Sequence, residues 1–227
     1  MSLIAMRRRL AAHWGLVLGG MVVAAAPAAA HPHIFAEARL DVMLSADAAS
    51  IDALRHLWRF DDVFSATVIV EFDKNGDRKL DAGELEKVRQ TVFASMAEFN
   101  YFQLVTVDGK DVPINPPDEF VVTFEDNQMI ILFEAKPKDA LKAAGKIAVG
   151  VYDPSFYTAV EFLNDGDMQT SSLPTGCATK VVRPDPDEVI AQNQSRLDEA
   201  FFNDPAGNDM TKMFATRLEI TCPPTQG

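Results

Sequence analysis

The chain has 227 residues, 33 acidic against 21 basic, giving a formal net charge of −12 with 48% hydrophobic residues. So acidic a balance argues against nucleic acid and against an anionic membrane surface as partners, and it favours cations or plain solubility. After the first thirty residues no run is long and apolar enough to cross a membrane.

Residues 1–30 read as an export signal. Arg7, Arg8 and Arg9 form the positive region, an apolar stretch runs over 14–26 to Pro27, and Ala28, Ala29 and Ala30 offer a small-residue cleavage site. Removing them deletes three Arg and no acid, so the charge of the remaining 197 residues becomes −15. The expectation is one soluble exported domain over 31–227, in a bacterial periplasm. Cleavage after Ala30 would make His31-Pro32-His33 the new N-terminus. A free α-amine with the His31 imidazole can chelate one metal, and His33 can add a third nitrogen, a ligand set preferred by copper, nickel, cobalt or zinc. Pro32 lacks a backbone N–H, so the square-planar site built on deprotonated amides cannot form in full. The alternative is a polar terminus beside a first strand.

That strand is predicted over 34–42, where Ile34, Ala36, Ala38, Leu40 and Val42 alternate with Phe35, Glu37, Arg39 and Asp41. After a turn at 46–50, residues 51–60 read as a second strand with Leu54 and Trp58 on the buried face. His56 is expected as a hydrogen-bonded residue on the half-exposed face. Asp61 and Asp62 then stand where a helix would begin.

Residues 73–84, DKNGDRKLDAGE, carry oxygen-bearing side chains at positions 1, 3, 5, 9 and 12, the spacing of an EF-hand calcium loop. Asp73, Asn75 and Asp77 would coordinate through side chains and Lys79 through its carbonyl. Asp81 would act directly or through water, and Glu84 would be the bidentate carboxylate. Leu80 is the apolar anchor. Arg78 stands at the sixth position, where the turn needs positive φ and Gly is usual, at a cost of roughly 1–2 kcal/mol. Phe64, Val68 and Phe72 form an apolar stripe before the loop, and Leu85, Val88, Val92, Met96 and Phe99 form one after it. The competing reading is a turn between a strand and a helix, because 66–72 is rich in β-branched residues.

Further strands are expected at 102–107, at 120–124 and 129–133 as a hairpin around 125–128, and at 146–152 and 157–163. Residues 137–144 are expected as a short helix. Tyr152, Asp153, Tyr157 and Glu161 cluster near one strand end, where a Tyr–Asp pair could cap the strand or hold a ligating histidine. The acidic turn at 164–167 lacks a twelfth-position glutamate and is not read as a calcium site. A short strand at 178–182, a helix at 187–202 and a last strand at 211–221 complete the chain. Cys177 and Cys222 are expected to pair in an oxidising compartment, stapling the segment 177–227 to the body. The fold class is therefore α+β: a mainly antiparallel, sandwich-like β body, one EF-hand-like insertion at 60–100, and a C-terminal helix.

Several of these segments together resemble one bacterial family. They are His31-Pro32-His33, Trp58-Arg59-Phe60-Asp61 running through Phe64-Ser65, the 73–84 loop, and Tyr152-Asp153-Pro154 through Glu161-Phe162. The chain is similar there, over about 31–165, to exported proteins described as the periplasmic component of an uncharacterised ABC-type transport system, a domain of unknown function. The resemblance implies metal handling beside a nickel- or cobalt-type inner-membrane permease, with His31 and His33 carried over as ligands. Arg78 departs from the glycine usual in the family's calcium-like loop.

No phosphate-binding loop, zinc-protease helix or nucleophile elbow occurs, and no nucleophile with a plausible base stands out. The expected function is non-enzymatic: a transition-metal accessory protein carrying structural Ca²⁺. The alternative is an interaction subunit of a transporter that binds calcium alone. A copper enzyme using the N-terminal histidine lacks an identifiable substrate face.

Overall fold

A computed structural model describes residues 32–197, 201 and 209–223. The expected signal at 1–30, His31 and part of the expected 187–202 helix lie outside these residues. Two sheets form a sandwich-like body, with a helix-loop-helix inserted after the second strand.

The alternation read in the first strand is realised in β1 (Ile34–Leu44), where Ala36, Ala38, Leu40 and Val42 are buried and the intervening side chains face outward. It pairs antiparallel with β2 (Ser50–Phe60), from Ala36 opposite Phe60 to Leu44 opposite Ile51, with a bulge near Met43. β2 pairs in turn with β7 (Gln128–Pro137), which forms the expected hairpin with β6 (Phe120–Glu125). The far edge of β1 departs from antiparallel pairing. It runs parallel to β10 (Thr158–Glu161) and then to β11 (Met168–Thr170), so one strand closes against two segments more than a hundred residues away. The second sheet is antiparallel throughout, in the order β12 (Ala178–Val182), β13 (Arg217–Cys222), β9 (Gly145–Val151), β3 (Gln103–Val107) and β4 (Lys110–Asp111). β5 (Ile114–Asn115) adds to β7 in the first sheet.

Four expectations change, the first being the 187–202 helix, which ends at Asn193 and gives way to a turn over 194–197. Residues 137–144 form no helix; they hold β8 (Leu141–Lys142), whose Leu141 is buried opposite Ile51, because β2 offers an open edge there. The last strand begins at Arg217, and Asp209–Phe214 ahead of it is a 3₁₀ segment. His56 lies fully inside instead of on a half-exposed face. It shares the parity of Leu54 and Trp58, so the side-chain period of two carries it inward with them.

α1 (Asp62–Phe72) is helical despite its β-branched content. The Asp61 side chain caps it, accepting from the N–H groups of Val63 at 2.8 Å and Phe64 at 2.9 Å, while its second oxygen takes Phe35 N–H of β1 at 3.0 Å. Buried Ser65 accepts from Met129 N–H at 2.9 Å, pinning the helix to the start of β7. α2 (Ala82–Ala97) starts at a capping box of Asp81 and Glu84. The chain leaves α2 through three successive left-handed residues, Asn100, Tyr101 and Phe102, and so turns sharply into β3. α3 (Pro186–Asn193) opens the C-terminal part, capped by Asp185. Cys177 and Cys222 form the expected disulfide, joining the entry of β12 to the end of β13. Among the described residues no helix is long and apolar enough to cross a membrane.

Candidate metal sites

The loop between α1 and α2 is held by its own side chains. Asp73 accepts from Gly76 N–H at 2.6 Å through one oxygen and from Arg78 N–H at 2.7 Å through the other. Asn75 accepts from Asp77 N–H and Asp77 from Lys79 N–H, each at 2.8 Å. Asp81 accepts from Gly83 N–H at 2.7 Å and Glu84 N–H at 2.9 Å. Glu84, only 5% exposed, accepts from Lys74 N–H at 2.7 Å and from Asp81 N–H at 3.0 Å, tying the loop's beginning to its end. Leu80 is partly buried against the core.

Arg78 adopts the left-handed conformation that the sixth position calls for, with φ +66°, and Gly76 does so two residues earlier with φ +76°. The chain therefore accepts the strained turn on an arginine, stabilised by the bond from Arg78 N–H to Asp73. A carboxylate oxygen has two lone pairs, so a backbone N–H on one leaves the other for a cation. The donor set is all oxygen, which suits a hard ion such as Ca²⁺ and not a soft one. Among the described residues, however, no three His, Cys, Asp or Glu side chains converge closely enough to hold an ion in this geometry. Coordination would require the loop's acidic groups to draw together.

Only His33 of the terminal pair falls within the described residues. It is exposed, donates its N–H to Tyr157 O at 2.8 Å, and lays its ring 4.8 Å from the Tyr157 ring. Of the cluster at that strand end, it is Tyr157, 124 positions away in the chain, that meets the histidine, by its ring and main chain and not as a Tyr–Asp pair. Asp153 does not serve a histidine. Its buried carboxylate accepts from Ser155 N–H and Oγ and from Thr158 N–H, closing the turn before β10 as a cap.

His56 is the remaining described histidine. Its Nε2 lies 2.9 Å from Gln103 Oε1, and Gln103 Nε2 donates to Tyr101 O at 2.9 Å. That orientation leaves the Gln103 oxygen facing the ring, so His56 Nε2 carries the proton and buried Nδ1 is bare. Burial pushes the pKa down to about 3, outweighing the Gln103 bond, so the ring is neutral. It stacks 4.6 Å from Phe133 and acts as a core residue. Its shared parity with Leu54 and Trp58 was the signal that could have found it.

The sequence pattern of one protein family matches residues 16–222 of the chain. The chain belongs to the family described as "Protein of unknown function (DUF1007)". The match runs through both cysteines, so the family likeness extends well beyond 31–165 into the C-terminal segment. An uncharacterised protein of Haemophilus influenzae is 23% identical over 198 residues, covering 85% of this chain and 91% of its own length. An "uncharacterized 15.5 kDa protein in trpE 3'region" of Spirochaeta aurantia is 24% identical over 119 residues, covering 52% of this chain and 85% of its own length.

Proposed function

We propose that this protein is a periplasmic, non-enzymatic metal-binding accessory protein of a transition-metal transport system, with a structural calcium ion in the loop 73–84. The observation that carries the reading is His33. β1 begins beside it, Tyr157 holds its main chain and ring, and the side chain remains exposed at the strand's start. After cleavage at Ala30, the amine and imidazole of His31 would join His33 to bind Ni²⁺, Co²⁺, Cu²⁺ or Zn²⁺, with an inner-membrane permease as the recipient or donor. Calcium would rest on oxygens of Asp73, Asn75, Asp77, Asp81 and Glu84 and the Lys79 carbonyl, and would supply stability without taking part in transfer.

The test is intact mass with metal analysis on protein exported with its native processed end. The expected result is a chain starting at His31 with one transition-metal ion, lost in the His31→Ala/His33→Ala variant. A different start, or calcium alone, overturns the carrier reading. It would favour the second one, an interaction subunit, for which the exposed Val63 and Val70 on α1 (79% and 83%) offer an apolar surface.

A further inference from the structure

A cavity of about 440 Å³ lies under the inserted helices, walled by the inner faces of α1 and α2 and by strand ends beneath them. That volume falls in the range of small-molecule sites. Seven aromatic residues line it, among them Phe64 of α1, Trp58 and Phe102 stacked 6.0 Å apart, and Tyr157. Among the described residues, the charged ones on the wall are Glu71 and Asp153, with no Lys, Arg or His.

The state of these two acids decides which ligand fits. Among the described residues, the Asp153 carboxylate is held by neutral donors, Ser155 and Thr158. Glu71 is exposed, and its carboxylate has no ion pair among the described residues. The nearby Lys74 ammonium is bonded to the Glu71 carbonyl, 2.6 Å away. An anion entering this space would meet two carboxylates and no counter-charge among the described residues. A bare metal ion would find mostly apolar wall and, among the described residues, no converging ligands. A cation carried on an apolar body gains from both features, since ring faces attract positive charge and a carboxylate at the rim adds to it.

We propose that the cavity binds a small organic cation, an alkyl- or arylammonium ion, with its body among the aromatic rings and its charge towards Glu71. The cavity shares Tyr157 with the His33 corner, but its rings and Glu71 need neither of the ions proposed above.

The test titrates the whole chain, in calcium-containing buffer, with benzyltrimethylammonium, its uncharged isostere neopentylbenzene, and benzenesulfonate, read by calorimetry or saturation-transfer NMR. One cation per chain is expected, about tenfold tighter than the isostere, with no saturable benzenesulfonate binding. Glu71→Gln, a change at an exposed side chain, should weaken the cation several-fold and leave the isostere unchanged. Ser95→Trp should fill the cavity and remove both, with an unchanged circular dichroism spectrum. Equal affinity for cation and isostere, saturable benzenesulfonate, or no cation binding by the folded protein would overturn the proposal.

Discussion

The loop 73–84 and the His33 corner are both candidate ion sites, and they are built in opposite ways. In the loop, every bond that shapes the backbone comes from a residue at most ten positions away, the longest being Lys74 N–H to Glu84. At the corner, His33 is held by Tyr157 across 124 positions, and its proposed partner His31 becomes a terminus only through cleavage. A locally built site can be read from a twelve-residue window, whereas one closed by tertiary pairing cannot.

The largest expected effect tests the local site. Asp73→Ala with Glu84→Ala should abolish calcium binding and the stability linked to it, about 4 kcal/mol when calcium is some thousandfold above its Kd. Melting with calcium and with chelator measures this, and a wild type that melts alike in both would remove the structural ion. Transition-metal stoichiometry at the terminus should survive the same variant.

The acid response of the fold is set in part by His56, which belongs to neither site. Its folded pKa, about 3, lies below the unfolded value near 6.5, so the folded state binds fewer protons between the two. The stability from keeping it neutral is complete above about pH 6.5 and is lost as pH falls towards 3, at up to roughly 1.4 kcal/mol per unit. His56→Gln should flatten that part of the stability profile measured by denaturant titration. An unchanged slope would mean that the ring is not buried neutral.

Tyr157→Ala removes the ring contact at the long-range site and keeps the main-chain bond to His33. Transition-metal affinity should fall about tenfold by calorimetry, the upper size of a single ring contact, with calcium affinity unchanged. Equal metal binding would show that the terminus does not need the ring. The smallest change sharpens the local side: Arg78→Gly should tighten calcium by about 1–2 kcal/mol, because glycine takes φ +66° without a Cβ penalty. Weaker binding after that change would mean that the arginine contributes more than it strains.

Much of the fold was legible because it rests on short periods and caps. The alternation in β1 and β2, the β6–β7 hairpin, the two helices and the Cys177–Cys222 bond all follow from residue type and near neighbours. Asp61 and Asp81 cap α1 and α2 from the position just before each helix, so the ends were readable as well.

By itself the sequence determined the inserted helices and the shape of the 73–84 loop, since hydrogen bonds within a dozen residues suffice to specify them. Only the tertiary structure decided that β1 pairs in parallel with β10 and β11, that Leu141 extends the sheet instead of starting a helix, that His56 meets Gln103, and that Tyr157 stands over His33. Each of these depends on which distant strand edge lies free when the sheets close, and a strand's own residues do not name its neighbour.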